Sequence, residues 1–551
     1  MEFHVKNGVL QKYIPEKQTE EIVIPEGVTE ISRNVFIGNK TVQRVIFPES
    51  LKKIGDSAFS GCTALREAML PDGLLSVGAA AFSGCTALRA IHLPDTLQEI
   101  GVNAFGGTAW LLQGEPLMIR GDILICYSGA EETVILPDGI RVIAPDAFKR
   151  QQRPRGKDVL RRVVIPEGVA EIGTEAFRES AALEEVILPQ SLREIGKSAF
   201  LNCTHLKSVT LPDGITRIPE NLFYGCQSLE TVQIPDTVTE IGANAFYYCT
   251  ALKEIRLPDA LKTIGANAFA ECTALSGFEI PAQTNEIGAN AFQRTAWEKE
   301  YPDEFIIHGD LLLKYKGTAQ SVTIPAQVRR IADRAFEGKK ITSLQLSDGL
   351  AEIGAYAFCQ CNCLTKIVIP AGVQKIGESA FSMCKSVETL EFAGDIPETC
   401  KDGFSPLDSL REVVLPDGVM AISKYDSTRN WGYYYCRIVG SLLEGDISKR
   451  EINSITAQMI LDFYELTHRP DTAKMIRRFA DEIFVKLDKA GATEQIVYLL
   501  LHKELLSEKM LAKMLDYAIS AAQKTGAAEH QMLVMRAKDA FFGAKKVRLK
   551  L

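Results

Sequence analysis

Cysteine is the residue type in this sequence whose number and spacing first suggest chemistry. The chain has 13 cysteines, and Cys359, Cys361 and Cys363 form a C-x-C-x-C cluster. Cysteine thiolates are preferred zinc ligands, so this cluster suggests a metal site. A structural zinc site needs four ligands, and no partner set follows at a suitable spacing. Two interpretations remain, metal ligation or the packing of small buried thiols.

Catalytic constellations are the next possibility. The sequence contains no H-E-x-x-H, no C-x-x-C-H and no G-x-x-x-x-G-K-[ST], and a lone Ser, Cys or Asp needs a base and an orienting group to act. We therefore predict no catalytic residues, no metal site and no cofactor, and we predict that the protein is not an enzyme. An enzyme would need an unexpected cleft beside the C-terminal region. The seven histidines are scattered, at His4, His92, His205, His308, His468, His502 and His530.

A basic segment, KRQQRPRGKDVLRR at residues 149–162, contains seven basic residues and one acidic residue. Such a cluster can hold a phosphate-rich or acidic partner. The alternative is a solvated loop, the usual state of a charge run. The candidate anion-binding residues of this basic loop are Lys149, Arg150, Arg153, Arg155 and Lys157.

Composition limits the class of protein. The 551 residues are 46% hydrophobic and carry a net charge of −8, which is typical of a globular chain and makes nucleic acid an unlikely partner. No apolar run approaches the roughly 18 residues of a membrane span, and residues 1–20 lack the apolar region of a signal peptide. We expect no membrane span and a cytoplasmic protein, with the cell surface or secretion as the alternative.

An internal repeat organises most of the chain. A phrase such as EIGANAF recurs, and eleven of its fourteen spacings are 22 or 23 residues. Equal spacing of this kind is typical of a solenoid, in which each unit buries its apolar side against the next. The 15 marker phenylalanines are Phe36, Phe59, Phe82, Phe105, Phe148, Phe177, Phe200, Phe223, Phe246, Phe269, Phe292, Phe336, Phe358, Phe381 and Phe404.

Each repeat contains a short strand pattern and a cysteine position. The stretch L-x-x-V-x-L-P alternates like a β-strand, and its Pro, which lacks an N–H, ends the ladder. Eight cysteines stand three residues after the marker Phe, which favours packing over ligation for them, and we expect them to stay reduced. These are Cys62, Cys85, Cys203, Cys226, Cys249, Cys272, Cys361 and Cys384.

The unit L-x-x-I-x-L-P-x-x-L-x-x-I-G-x-x-A-F-x-x-C resembles the BspA-like leucine-rich repeat over roughly residues 20–422. The resemblance implies a leucine-rich-repeat solenoid, a parallel β-sheet superhelix of about 15 repeats of 23 residues. It also implies the recognition of proteins, and some BspA-like members are surface adhesins. The sequence departs from the common leucine-rich pattern because a Pro, and not an Asn ladder, follows the strand.

Two insertions and a matching N-terminal segment divide residues 1–422 into three blocks that start near 1, 111 and 298. Each contains alternating segments around a turn pair, which predicts a β-hairpin. The pairs are Asn7-Gly8, Gly121-Asp122 and Gly309-Asp310. We interpret the first hairpin as a cap over the exposed first turn.

The period stops after Ile422. Residues 423–445 are interpreted as a connector whose aromatic cluster shields the last repeat or, alternatively, stacks on a ligand. Residues 446–551 are predicted to be a small all-α domain with its own core. Its helices are expected to start at a Ser448–Glu451 capping box and at Pro470, and to cover 492–503, 507–524 and 527–541. The aromatic cluster consists of Trp431, Tyr433, Tyr434 and Tyr435.

The central outward position of each strand forms a row across the sheet, apolar in its first third and polar in the middle. High β-propensity of Ile and Val alone would give the same pattern. An apolar row beside arginines also fits a partner-binding patch. We predict a non-enzymatic protein–protein interaction scaffold; an adhesin and an anion- or nucleic-acid-binding regulator are the alternatives. The candidate partner-binding residues are Ile46, Met69, Arg89, His92, Ile135, Arg161, Arg162, Val164, Ile187, Thr210, Gln233 and Arg256.

Overall fold

The computed structural model divides the chain into two compact units, Met1–Pro302 and Asp303–Leu551, which are described separately. The second unit holds both the last repeats and the C-terminal helices. The structure describes residues 2–16, 19–113, 115–149, 159–399, 403–404, 407–422, 442–443, 452–525 and 528–542. Within these ranges the chain forms a β-solenoid of about 17 turns followed by helices.

The predicted strands form at the x-V-x part of L-x-x-V-x-L, and we call them the repeat strands. In Ser208–Thr210 the central Val209 is buried and both neighbours are exposed, as alternation requires. Within each sheet, consecutive repeat strands pair in parallel and in register. The repeat strands are Glu21–Val23, Arg44–Ile46, Glu67–Met69, Ala90–His92, Thr133–Ile135, Arg162–Val164, Glu185–Ile187, Ser208–Thr210, Thr231–Gln233, Ser321–Thr323, Ser343–Gln345, Lys366–Ile369, Thr389–Phe392 and Glu412–Leu415.

A second set of strands, two residues each, was not predicted. They lie just before the Ile-Gly glycine or its equivalent, and we call them the Ile-Gly strands. They form their own parallel ladders, separate from those of the repeat strands. The Ile-Gly strands are Glu30–Ile31, Lys53–Ile54, Ser76–Val77, Glu99–Ile100, Val142–Ile143, Glu171–Ile172, Glu194–Ile195, Arg217–Ile218, Glu240–Ile241, Thr263–Ile264, Glu286–Ile287, Arg330–Ile331, Glu352–Ile353, Lys375–Ile376 and Glu398–Thr399.

The three predicted hairpins are present, and each one starts a sheet of Ile-Gly strands. The second strand of each hairpin pairs in parallel with the first Ile-Gly strand of its block. The first hairpin therefore covers the edge of that sheet, while the sheet of repeat strands begins without it. The hairpin strands are Glu2–Lys6 with Val9–Ile14, Leu117–Arg120 with Ile123–Tyr127, and Phe305–His308 with Leu311–Tyr315.

The marker phenylalanines stack into ladders inside the solenoid. Ring centroids of successive phenylalanines lie between 4.5 Å and 5.8 Å apart. A hairpin tyrosine begins each ladder: Tyr315 stacks on the first Phe of its block, while Tyr13 and Tyr127 pack on theirs with tilted rings. The solenoid therefore has more turns than marker phenylalanines, because each hairpin contributes a turn that carries Tyr in place of Phe. In the first unit, two ladders end against Trp110 of helix α1 (Ala109–Gln113) and Trp297 of helix α2 (Ala296–Glu300).

The C-terminal region is helical, as predicted, and Pro470 is the first residue of its helix. The start of the first helix differs from the prediction. That helix begins at Ser454, because the Asn453 side chain caps the N–H groups of Ile455 and Thr456 at 2.9 Å. Ser448–Glu451 lie outside the described residues. The helices are α3 (Ser454–Thr467), α4 (Pro470–Lys489), α5 (Thr493–Leu501), α6 (Glu508–Thr525) and α7 (Glu529–Phe542), with a 3₁₀ turn at Lys503–Leu505.

These helices share a core with the last repeats, which differs from the separate core that the sequence suggested. One apolar cluster runs from Leu312 through the repeats to Ala537. Helix α3 packs against the last strand, Gly418–Ala421. The repeat array thus ends on an apolar surface that the helices cover. Of the connector, the structure describes Leu442 and Leu443, both fully buried; Trp431, Tyr433, Tyr434 and Tyr435 lie outside the described residues.

Candidate interaction surface

The third residues of the repeat strands form the predicted row in the first unit, and we call it the apolar row. Strand pairing places Ile46 beside Met69, and Met69 beside His92. In the next block Ile135 pairs with Val164, and Thr210 with Gln233. Neighbouring strands are about 4.8 Å apart, so the side chains of each block form a continuous strip.

The large apolar side chains of this row are exposed. Ile135 is 71% exposed and Met69 is 52% exposed, while Ile46 and Ile187 are also open to solvent. Val164 is half-buried. One member was missed: Val23, 51% exposed, pairs with Ile46. The same alternation would have found it in the first repeat.

A second row on the same face contains paired charges. Arg44 lies 3.5 Å from Glu21, and the Arg162 Nε atom lies 2.8 Å from a Glu185 carboxylate oxygen. These pairs join adjacent strands, where opposite charges stabilise the sheet modestly. The charges of Arg44 and Arg162 are therefore largely neutralised by glutamates of neighbouring repeats. The feature of this face that remains unpaired is the apolar row.

The remaining predicted residues differ in setting. Arg89 is exposed, and Arg161 pairs with Glu184. At the polar end of the row, the Thr210 hydroxyl donates a hydrogen bond of 3.2 Å to the Gln233 side chain. His92 lies 3.6 Å from Asp72. Arg256 lies 2.8 Å from Asp236; it is not on a regular strand, since only one bridge, Glu254 to Gly277, forms there.

The basic loop prediction is wrong at Lys149. This side chain is mostly buried, and its Nζ atom lies 2.8 Å from Asp146 and 3.4 Å from Glu175. Because Asp146 is itself buried, Lys149 compensates an interior charge and does not face an external anion. Arg150, Arg153, Arg155 and Lys157 lie outside the described residues.

The eight repeat cysteines are buried. Each thiol donates a hydrogen bond to the carbonyl oxygen of the marker Phe in the preceding repeat, at distances from 3.0 Å (Cys272) to 3.3 Å (Cys361). Ser180 occupies the same position and donates to Phe148. The repeat position therefore needs a small donor between turns, which is the packing interpretation of these cysteines. Burial raises the pKa of Cys361 to about 12.

We expect the repeat cysteines to resist alkylation in the folded protein. The thiolate is the reactive form, and burial suppresses both ionisation and access. Iodoacetamide at pH 8, read by peptide mass spectrometry, should label half-buried Cys363 long before Cys361, and all cysteines should react in denaturant. Rapid native labelling of Cys226 or Cys361, or a loss of two hydrogens per cysteine pair, would contradict this.

Within the ranges that the structure describes, no group of three or more His, Cys, Asp and Glu side chains is arranged to hold a metal ion. None of the helices in those ranges combines the length and apolar character that crossing a bilayer requires.

Comparisons with known proteins identify the repeat. The model of the family described as BspA type Leucine rich repeat region (6 copies) matches residues 13–113, 126–252, 170–298 and 310–428. No curated protein matches the chain.

Solved structures of leucine-rich repeat proteins are similar to this chain, and three of them are described here. A leucine-rich repeat protein from Eubacterium ventriosum is 23% identical, covering 50% of this chain and 77% of its own, with a TM-score of 0.37. One from Bacteroides ovatus is 23% identical, with coverages of 71% and 92% and a TM-score of 0.32. One from T. pallidum is 31% identical, with coverages of 34% and 88% and a TM-score of 0.30.

Proposed function

Because this chain belongs to the BspA-type leucine-rich repeat family, we propose that its repeats act as a scaffold that binds a protein partner. The family is typically non-enzymatic, which supports binding as the activity. The observation that carries the proposal is the exposed apolar row of the first unit, which contains Ile46 and Met69 on the sheet of the first block and Ile135 and Ile187 on the sheet of the second. Isolated apolar side chains on a surface need no explanation, but a strip on consecutive strands is typical of an interaction site.

The chemistry of the row defines the partner. Because Arg44 and Arg162 pair with glutamates of adjacent strands, these two arginines contribute little net charge to the surface. We therefore infer a partner that presents an apolar patch, held mainly by the burial of apolar area. Binding of this kind depends weakly on salt, whereas binding through a basic loop falls steeply with salt.

We also propose that the protein acts at the cell surface or after secretion. BspA-like proteins are often at the cell surface or secreted, so family membership fits that alternative and gives no support to a cytoplasmic location. The partner would then be a protein met outside the cell.

Replacing Met69, Ile135 and Ile187 with Lys should abolish capture of the partner, because burying three charges in an apolar interface is costly. Captured protein should fall at least about tenfold. The measurement is affinity capture from lysate and culture medium of the native host, quantified by mass spectrometry, at low and high salt.

The matched control places Lys at Thr323, Ser343 and Gln345, which are exposed on repeat strands of the second unit and are not among the candidate partner-binding residues. This variant adds the same charge and should capture normally, and both variants should keep the wild-type circular dichroism spectrum. Equal capture by the apolar-row variant would refute the proposal. Capture that disappears at high salt would favour the basic loop instead.

A further inference from the structure

Three polar side chains from different helices form a hydrogen-bonded chain in the C-terminal region. The Nδ1 atom of His530, on α7, lies 2.6 Å from the Oδ1 atom of Asp488, on α4. The other ring nitrogen of His530, Nε2, lies 3.0 Å from the hydroxyl oxygen of Thr493, on α5. One imidazole ring therefore connects a carboxylate to a hydroxyl.

The two partners of His530 decide which ring nitrogen carries the proton. A carboxylate only accepts hydrogen bonds, so Nδ1–H donates to Asp488. In the neutral ring Nε2 is then the acceptor, and the Thr493 hydroxyl donates to it. A hydroxyl bound to an imidazole that a carboxylate orients is the arrangement of a nucleophile with its general base.

The carboxylate of this chain is held from a second side. Tyr517 of α6 lies beside Asp488, and burial, followed by the charge of Asp488, raises the pKa of the Tyr517 phenol. The side chains of Asp488 and His530 are each 16% exposed, so their hydrogen bond is largely shielded from water. Helices α4, α5, α6 and α7 thus each contribute one residue to a fixed arrangement.

Thr493, in contrast, keeps part of its surface in solvent. It is half-buried and is the first residue of α5. The two residues before it, Gly491 and Ala492, are small, and a Cβ atom added at Gly491 would meet no atom within 4 Å. A small substrate therefore has room to approach this end of the helix.

The start of α5 also presents N–H groups beside Thr493. Ala492 gives the helix no side-chain cap, and in the described part of the chain the N–H groups of Glu494 and Gln495 have no backbone acceptor. Free N–H groups in the first turn of a helix stabilise a negative charge that develops on a nearby oxygen. They complete the groups that an acyl transfer needs: nucleophile, base, orienting carboxylate and oxyanion donors.

We propose that Thr493, His530 and Asp488 hydrolyse small carboxylic esters, an activity separate from partner binding by the repeats. The Thr493 Oγ atom bonds to the ester carbonyl carbon while His530 Nε2 takes the hydroxyl proton. His530 gives this proton to the alcohol oxygen as the bond from that oxygen to the carbonyl carbon breaks, which leaves an acyl group on Thr493. Water then attacks the acyl group, and His530 transfers the proton of the water to Thr493 Oγ as the acid leaves. Thr493 and His530 are the catalytic residues, and Asp488 is a positioning residue.

The test is hydrolysis of p-nitrophenyl acetate by the full chain, measured as release of p-nitrophenolate. We expect the rate to be at least about tenfold above that of Thr493→Val, which keeps the shape of the side chain but lacks the nucleophile. Thr493→Ser should retain hydrolysis. Peptide mass spectrometry of protein quenched in acid during turnover should find the acetyl group on Thr493.

The matched control is Thr467→Val. Thr467 is also a half-buried helical residue, but its hydroxyl donates to the carbonyl oxygen of Phe463, so this variant should hydrolyse the ester normally. Asp488→Asn should lower kcat at least about tenfold and change KM less than about twofold, because it disturbs the orientation of His530 and not substrate binding.

Circular dichroism spectra of all variants should match that of the wild type. Hydrolysis by Thr493→Val at the wild-type rate, an acetyl group found only on other residues, or no turnover above the rate in buffer would overturn the proposal.

Discussion

Replacing Phe246 with Ala is expected to lower the free energy of unfolding by about 3–5 kcal/mol. Phe246 is fully buried, and its ring stacks between those of Phe223 at 5.4 Å and Phe269 at 5.1 Å. The substitution removes apolar contacts and leaves a cavity between Phe223 and Phe269. These two rings cannot close the cavity, because each is also stacked on the next ring of the ladder.

The effect should spread along the array, because each turn is stabilised mainly by its neighbours. Urea denaturation gives the loss of stability, and hydrogen exchange read by mass spectrometry shows where it occurs. Protection should fall most in the turns of Phe223, Phe246 and Phe269. Tyr248→Ala is the control in the same repeat, because Tyr248 is 43% exposed, and it should cost about 1 kcal/mol or less. A Phe246→Ala loss no larger than that of the control would show that the ladder contributes little.

The ladder is also the part of the fold that the sequence predicts best. A residue that recurs every 22 or 23 positions must occupy the same place on successive turns, so the Phe spacing alone implies stacking. The hairpins follow from local chemistry in the same way. Asn7 has φ 51° and Gly8 has φ 77°, values that this residue pair adopts readily in a two-residue turn.

What the sequence could not predict depends on contacts between turns. A two-residue strand such as Arg217–Ile218 is too short to show alternation, and only pairing with Glu240–Ile241 makes it a strand. Lys149 looked like the start of a basic loop, yet one of its partners, Glu175, lies in the next repeat. That pairing depends on the path by which the chain leaves the expanded repeat and rejoins the regular spacing.

The same distinction, between local pattern and contacts that are distant in sequence, applies to the surfaces of the protein. The apolar row could be predicted because alternation decides which side of a strand faces outward, and counting from the first repeat would have included Val23. The surface between the last repeats and the helices could not be predicted. The last strand, Gly418–Ala421, packs against helix α3, whereas the helices were expected to have a core of their own.

Gly377→Ala should be as damaging as the loss of a core side chain, at about 3 kcal/mol. The glycine of the Ile-Gly pair lies against the backbone of the preceding turn. A Cβ atom at Gly377 would lie 2.6 Å from the carbonyl carbon of Gly354 and closer still to the N atom of Ala355. Both obstacles are backbone atoms of a packed ladder, so neither can rotate away, and the two turns must separate.

The matched control is Gly349→Ala in the same unit. A Cβ atom there would have one near neighbour, the Ala326 carbonyl oxygen at 3.9 Å, which is an ordinary contact. This variant should change stability by no more than about 0.5 kcal/mol, since it adds one methyl group without a clash. Urea denaturation of both variants and of the wild type measures the two changes in the free energy of unfolding. If Gly377→Ala is as mild as Gly349→Ala, the turns are not held at the spacing that the Ile-Gly pair sets, and the glycine has another role in the repeat.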